Sequence, residues 1–404
     1  MKVIGIIQAH SKGWDGTKDY SLCEVEGLYV VEHVIRKLKT MNILQDVCIT
    51  VPNNTDNNVF KDIAEKYGVK CFFGSMGNVL KRCIDAADFV KGETIIHVMG
   101  QNCFVDAGIL KNMTNELLKH NYNYISMPDG FPPHFTGKVF KRDFLNLVFN
   151  EINELPADRK NINLARFTSY IENNRERFNA SIYTVLPQYS IEYLKKVREQ
   201  SKDIFYGEST YIVKDKASDV GNFNFYRYMF AKQFLKETDI VLDIACGTGY
   251  GTEYISQFVN KIISADRDKE IISENIYKYN LKNVSFEVQD ATNLTFKNSY
   301  FDAVLSMETI EHIPVDKVSS YLKGVKSVLK NNGLFICTTP QNLMGNVPVV
   351  PWHEKEYSLE EFKKLLSSEF KVIKTYGSKN SGEYIEDEHG NNMMGICRKK
   401  EVIK

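Results

Sequence analysis

Residues 241–251 read VLDIACGTGYG. The apolar run that ends at Asp243 predicts a strand with a carboxylate at its carboxyl end. Gly247, Gly249 and Gly251 follow at a spacing that permits a tight turn and close backbone approach to a ligand. A helix is expected from about Thr252, so its free N–H groups face whatever the loop holds. Strand, glycine loop and helix in this order predict a binding loop of an α/β unit. The glycines alone would also fit a dinucleotide-binding dehydrogenase.

Downstream segments narrow that choice. KIISAD carries Asp266 past a second strand, where a carboxylate accepts both hydroxyls of a ribose. VSFEVQDATNL sets Asp290 and Ala291 just past a third strand, where a carboxylate beside a backbone N–H can read the amino edge of adenine. FDAVLSMETIEHI supplies a fourth strand and NNGLFICTTP a fifth. Between them a helix is expected over Asp316–Lys330, with Val318, Tyr321, Leu322, Val325, Val328 and Leu329 on one stripe. An acid directly before the glycines suits a cationic ligand and repels a pyrophosphate, which weighs against the dehydrogenase.

Together these segments resemble the Rossmann-like S-adenosylmethionine-dependent methyltransferases, a mostly parallel seven-stranded α/β fold. The resemblance implies S-adenosylmethionine as cofactor. It implies binding roles for Asp243, Gly247, Gly249, Asp266, Asp290 and Ala291, with backbone contacts from Met307. The lead-in YGESTYIVKDKASDVGNFNFYRYMFAKQFL, and TTPQN with VPWHEKEYSLEEFKKLL downstream, look like methyltransferases of surface-polysaccharide gene clusters. Quinone-biosynthesis methyltransferases share the ETIEH element, so a non-sugar acceptor stays open.

Methyl transfer to a hydroxyl benefits from a positioned general base. Glu308, Glu311 and His312 follow the fourth strand. His312 is the first candidate base, with Glu311 as its orienter or a substrate ligand. His353 and Glu356 in WHEKEY are the second candidates. Glu308 or Glu311 capping a turn, and His353 merely pairing with an acid, are the plainer alternatives. No metal is expected; the alternative is an ion held by His312, His353 and acids.

The first half alternates strands and helices too. Strands are expected at Val3–Ile7, at VCITV from Val47, near Val69–Phe72 and at Thr94–Val98, with helices near Val30–Lys39, Val59–Tyr67 and Val79–Val90 between them. KVIGIIQAHSKGWDGTKDYSLCEVEGLYVVEHVIRKL, FFGSMGNVLKRCIDAAD, IIHVMGQNCFVDAGIL and ARFTSYIENNRERF resemble cytidylyltransferases that activate sugar acids, a GT-A-like nucleotidyltransferase fold. The chemistry departs from that family. Lys12 and Lys18 are kept, but Asp15 stands near the expected Arg, and Gln101 stands where the family has its metal-binding Asp. An acid repels phosphate, and a neutral amide is a poor Mg²⁺ ligand. Asp106 lies five residues on, at the wrong distance along the loop. A degenerate domain that binds substrate or a partner is therefore expected, with a bifunctional cytidylyltransferase/methyltransferase as the alternative.

Over the full 404 residues, 51 basic and 51 acidic residues cancel. That balance argues against a nucleic-acid binder or a polybasic membrane protein. No apolar run has the length of a membrane span, and MKVIGIIQAH reads as a strand, not a leader. Eight scattered cysteines with no C-x-x-C pair suit core positions in a reducing, cytoplasmic compartment. The polar stretch Glu199–Asn224 sets the expected boundary, giving domains 1–205 and 206–404. A sugar or glycan precursor is the expected substrate, and a homo-oligomer formed through the first domain is left open.

Overall fold

The computed structural model describes residues 1–12, 19–204, 223–344, 347–348, 350–379 and 383–400. Its chain divides into two compact units, Met1–Tyr206 and Gly207–Lys404. Of the first half's phosphate-loop residues, Asp15 and Lys18 lie outside the described residues, as does most of the lead-in to the second unit.

In the first unit, strand β1 (Val3–Gln8) buries five consecutive residues, as a central parallel strand covered on both faces must. A short ribbon, β2 (Glu24–Val25) with β3 (Leu28–Tyr29), leads into helix Val30–Lys39. There Glu32 accepts the Tyr29 N–H at 2.7 Å, a capping contact, and the stripe Val30, Val31, Val34, Ile35 and Leu38 is buried. The sheet continues with β4 (Asp46–Pro52), β5 (Lys70–Gly74), β6 (Thr94–Met99), β7 (Tyr124–Ser126), β8 (Lys138–Lys141) and β9 (Ala180–Ile182). Its order is β5-β4-β1-β6-β8-β7-β9. The strands from β5 to β6 run parallel, and β8 is antiparallel to both β6 and β7.

Among its described residues the second unit has eight strands, not the seven expected: β10 (Ile240–Ile244), β11 (Lys261–Asp266), β12 (Val284–Val288), β13 (Phe301–Met307), β14 (Leu329–Pro340), β15 (Phe370–Ser378), β16 (Tyr384–Glu386) and β17 (Asn392–Lys399). The order is β12-β11-β10-β13-β14-β17-β15-β16, parallel from β12 to β14 and antiparallel beyond. The additional member is β16, three residues long and at the edge, too short to announce itself by periodicity. The expected helix over Asp316–Lys330 is shorter, Val318–Val328, and Leu329 already belongs to β14. Leu329 is buried in either element, so its apolar character could not tell strand from helix.

Among the described residues no helix is long and apolar enough to cross a membrane. All eight cysteines are free thiols, and all but Cys23 and Cys71 are buried. Strands β10, β11 and β13 are central and parallel, so their carboxyl ends open a crevice on one edge of the sheet.

Candidate functional site

The crevice of the second unit is a cavity of about 530 Å³, a volume typical of small-molecule sites. Its floor is the loop after β10. Ala245, Gly247 and Gly249 all have positive φ (56°, 52° and 75°), so the chain turns back sharply on itself. The loop is tied down from outside. Asn275 Nδ2 donates to the Gly247 carbonyl at 2.7 Å, and the Tyr279 hydroxyl donates to the Thr248 carbonyl at 2.9 Å. A Cβ on Gly249 would stand 2.7 Å from the Tyr279 ring, and one on Gly251 only 2.1 Å from Tyr228. Gly247 lines the cavity, whereas Gly249 and Gly251 do not; they let neighbouring side chains close on the loop.

Asp266, at the end of β11, lines the cavity and accepts the Gly247 N–H at 3.1 Å and the Asp268 N–H at 3.0 Å. Asp290, Ala291 and Met307 line it as well. The Thr292 N–H and hydroxyl both donate to Asp290, at 2.8 Å each, and hold its carboxyl below the usual range. Asp243 sits elsewhere. It is fully buried under the loop and does not line the cavity. The Thr252 hydroxyl donates to it at 2.8 Å and the Tyr228 hydroxyl at 3.2 Å. Burial raises its pKa to about 7 against those two bonds.

Glu311, His312 and His353 also line the cavity, with one ligand atom of each within 4.8 Å of the others. The imidazole centroids of His312 and His353 are 4.9 Å apart, nearly perpendicular. His312 Nδ1 is 3.2 Å from the Trp352 carbonyl, and burial lowers the ring's pKa. His353 Nδ1 is 2.7 Å from Glu356 Oε1, and Asn342 Nδ2 donates to Glu356 Oε2 at 2.9 Å. The carboxylate that orients a histidine here is thus Glu356 on His353. Glu311 is held by another group: its Oε2 accepts the Thr339 hydroxyl at 3.0 Å, and its Oε1 is buried with no hydrogen-bond partner among the described residues. Burial pushes the Glu311 carboxyl well up.

Sequence reading missed Arg227, Tyr228 and Tyr250, which form the cavity wall beside the loop. Arg227 Nη1 is 3.6 Å from Glu308 Oε1, and Asn392 donates to the same oxygen. Glu308 adopts φ 53°, a conformation that L side chains rarely take. One signal was available: Arg227 is the sole charged residue of the helix Phe223–Ala231, FNFYRYMFA.

In the first unit the carboxyl ends of β1 and β6 carry Gln8 and Gly100. The Gly100 N–H donates to the Gln8 carbonyl at 2.7 Å, and a Cβ there would stand 2.7 Å from Ser21 Oγ. Gln101 follows in the turn, half-buried. Asp106 is fully engaged: Oδ1 caps helix Ala107–Lys119 through the Gly108 and Ile109 N–H groups, and Oδ2 accepts the Tyr189 hydroxyl at 2.7 Å. Lys12 pairs with Asp56 at 2.8 Å.

A profile described as "Cytidylyltransferase" matches residues 5–212, just over half of the chain. The chain belongs to the cytidylyltransferase family. A second profile, "Methyltransferase domain", matches residues 242–337, so this cytidylyltransferase-family chain also carries a methyltransferase domain. MJ1063 of Methanocaldococcus jannaschii is 27% identical over 189 residues, 47% of this chain and 74% of that protein. The probable S-adenosylmethionine-dependent methyltransferase Rv3030 of Mycobacterium tuberculosis is 25% identical over 155 residues, 37% of this chain and 55% of its own length. The chain therefore spans little more than half of that relative. A cytidylyltransferase structure from Leptospira borgpetersenii aligns with 52% of this chain and all of its own, at 20% identity and a TM-score of 0.42.

Proposed function

We propose that the second unit is an S-adenosylmethionine-dependent O-methyltransferase acting on a sugar or activated glycan precursor in surface-polysaccharide biosynthesis. The first unit then binds the nucleotide or sugar part of the substrate. The observation that carries the reading is that one cavity is lined by both sets of groups. Asp266 and Asp290, suited to ribose and adenine, line it together with Glu311, His312 and His353.

The residues present fit the cofactor. Asp266 offers its carboxylate to the ribose hydroxyls, Asp290 and the Ala291 backbone face the adenine, and the Gly247 turn lets the backbone come close. Arg227 supplies a cation for the methionine carboxylate. Asp243 acts through the loop: it holds Thr252 and Tyr228, and through them the start of the helix beside the cavity. When bound, the cofactor supplies an electrophilic methyl group on a sulfonium. The protein's part is to align an acceptor oxygen with it and to take up the acceptor's proton. His312 and His353 are the candidate proton acceptors, and Glu356 fixes His353 with Nδ1 toward the carboxylate. Eight free thiols suit work in the cytoplasm.

Nucleotidyl transfer by the first unit is the second reading, favoured by the family match over residues 5–212. Gln101 and Asp106 weigh against it: Gln101 has no carboxylate, and both oxygens of Asp106 already accept hydrogen bonds from the helix start and Tyr189. Two measurements test the pair. Calorimetry with S-adenosylhomocysteine should show one site per chain, weakened in Asp266→Ala; no binding by wild type overturns the methyltransferase reading. Incubation with CTP, Mg²⁺ and sugar acids should release no pyrophosphate; turnover would establish the bifunctional one.

A further inference from the structure

We infer that Glu311, His312 and His353 form a binding site for a divalent first-row transition cation in the wall of the second unit's cavity. One ligand atom from each lies within 4.8 Å of the other two. Two imidazoles and one carboxylate are a donor set for Zn²⁺, Co²⁺ or Fe²⁺, whereas Mg²⁺ prefers oxygen alone. Ligands about 2.1 Å from a tetrahedral ion stand about 3.4 Å apart, so binding requires a modest inward rotation of these side chains.

Three further observations point to a cation. First, both rings use Nδ1 toward an acceptor: His312 faces the Trp352 carbonyl and His353 the Glu356 carboxylate. That is the outer-shell arrangement that turns Nε2 of a histidine toward a metal. Second, the outer shell is itself held, because Asn342 donates to the remaining oxygen of Glu356 at 2.9 Å. Third, Glu311 is fully buried and one of its oxygens has no hydrogen-bond partner among the described residues. A carboxylate oxygen left so costs free energy unless something cationic or protic meets it. The Thr339 hydroxyl fixes the other oxygen and so orients the unpartnered one.

Three protein ligands leave a tetrahedral ion one open position, as in catalytic rather than structural sites. All three residues line the cavity, so that position is reached from the space a methyl acceptor would occupy. The ion would hold an acceptor oxygen there and favour its deprotonated form, and with both rings bound to it, it takes the place of His312 and His353 in drawing off the acceptor's proton. This last role rests on the methyltransferase reading; the cation site does not.

The experiment uses the full chain, stripped with chelator and titrated with Co²⁺. Visible d–d absorption reports ligand field and stoichiometry, and metal analysis after gel filtration gives the count. One Co²⁺ per chain with tetrahedral-type bands and no thiolate charge-transfer band is expected. His353→Gln and Glu311→Gln should each lose those bands and weaken binding at least tenfold, with far-UV circular dichroism unchanged. Unaltered bands in both variants, or fewer than one equivalent bound by wild type, overturn the site. If a variant fails to fold, His312→Asn takes its place under the same criterion. S-adenosylhomocysteine calorimetry on the same preparations separates the two claims: cofactor binding without cobalt bands removes the cation site alone, and cobalt bands without cofactor binding remove the methyltransferase reading alone.

Discussion

Asp243→Asn should make the second unit more stable at pH 8 than the wild type, and by a margin that shrinks at lower pH. Asp243 is fully buried, and its pKa rises from an ordinary 3.8 to about 7. The folded state therefore holds the proton more tightly than the unfolded chain does. Its stabilising effect is complete below pH 4 and is lost as pH rises from about 4 to about 7. With those two pKa values, linkage removes about 1.7 kcal/mol at pH 5 and about 4 kcal/mol at pH 8. Asparagine does not titrate. Its carbonyl can still accept from the Thr252 hydroxyl, and its amide can donate to Tyr228. The difference in unfolding free energy between variant and wild type should thus grow by about 2.5 kcal/mol from pH 5 to pH 8. Urea titrations in a Trp14→Phe background read this out, because Trp352 then reports on the second unit alone. Comparing variant with wild type at each pH cancels the other titrating groups. A difference that is the same at both pH values, within about 0.5 kcal/mol, would refute the argument that Asp243 is held in a costly ionised form.

Three further outcomes follow from the same geometry. Asp266→Ala removes the ribose acceptor and the anchor of the Gly247 N–H; two lost charge-assisted hydrogen bonds are worth about 3 kcal/mol or more, so the calorimetric Kd for S-adenosylhomocysteine should rise about 100-fold, and a change under tenfold counts against the assignment. Arg227→Met keeps the bulk of the cavity wall but leaves Glu308 without its cation, and the same Kd should rise at least about tenfold, with Arg227→Lys recovering part of it. Gly251→Ala places a methyl 2.1 Å from the Tyr228 ring, and thermal unfolding should show a loss of about 3 kcal/mol or more.

Much of the second unit was legible because its chemistry sits at strand ends, and strand ends are marked by where apolar runs stop. Asp266, Asp290 and Met307 stand where VLDIACGTGYG, KIISAD, VSFEV and FDAVLS imply. Depth along the sheet normal is not marked in that way. Asp243 looked like a cavity wall residue, yet the strand's own alternation turns it under the loop, where Thr252 and Tyr228 wait for it. Gly249 looked like ligand clearance and proves to be clearance for Tyr279. The pairing of carboxylates with histidines was equally hidden. Glu311 is next to His312 in sequence, but its carboxylate accepts from the Thr339 hydroxyl, whereas His312 Nδ1 faces the Trp352 carbonyl. Glu356 reaches His353 from three residues on. Arg227 was missed because a single cation in an aromatic helix looks like a surface residue until the helix is set against the cavity. In the first unit the sheet was readable from its apolar strands, whereas the engagement of Asp106 depends on Tyr189, 83 residues away.

The left-handed backbone at Glu308 has a consequence for what substitution can tolerate there. Glycine reaches φ 53° without steric cost, whereas a side chain bearing a Cβ is strained there by about 1–2 kcal/mol. The backbone alone would therefore favour glycine. A chain that instead carries glutamate accepts a weaker fold at that point, and the carboxylate's hold on Arg227 and Asn392 is what glycine would forfeit. Glu308→Gly should accordingly relieve backbone strain but leave the buried Arg227 without this carboxylate, so the strain at this residue is held in place by the ion pair it supports.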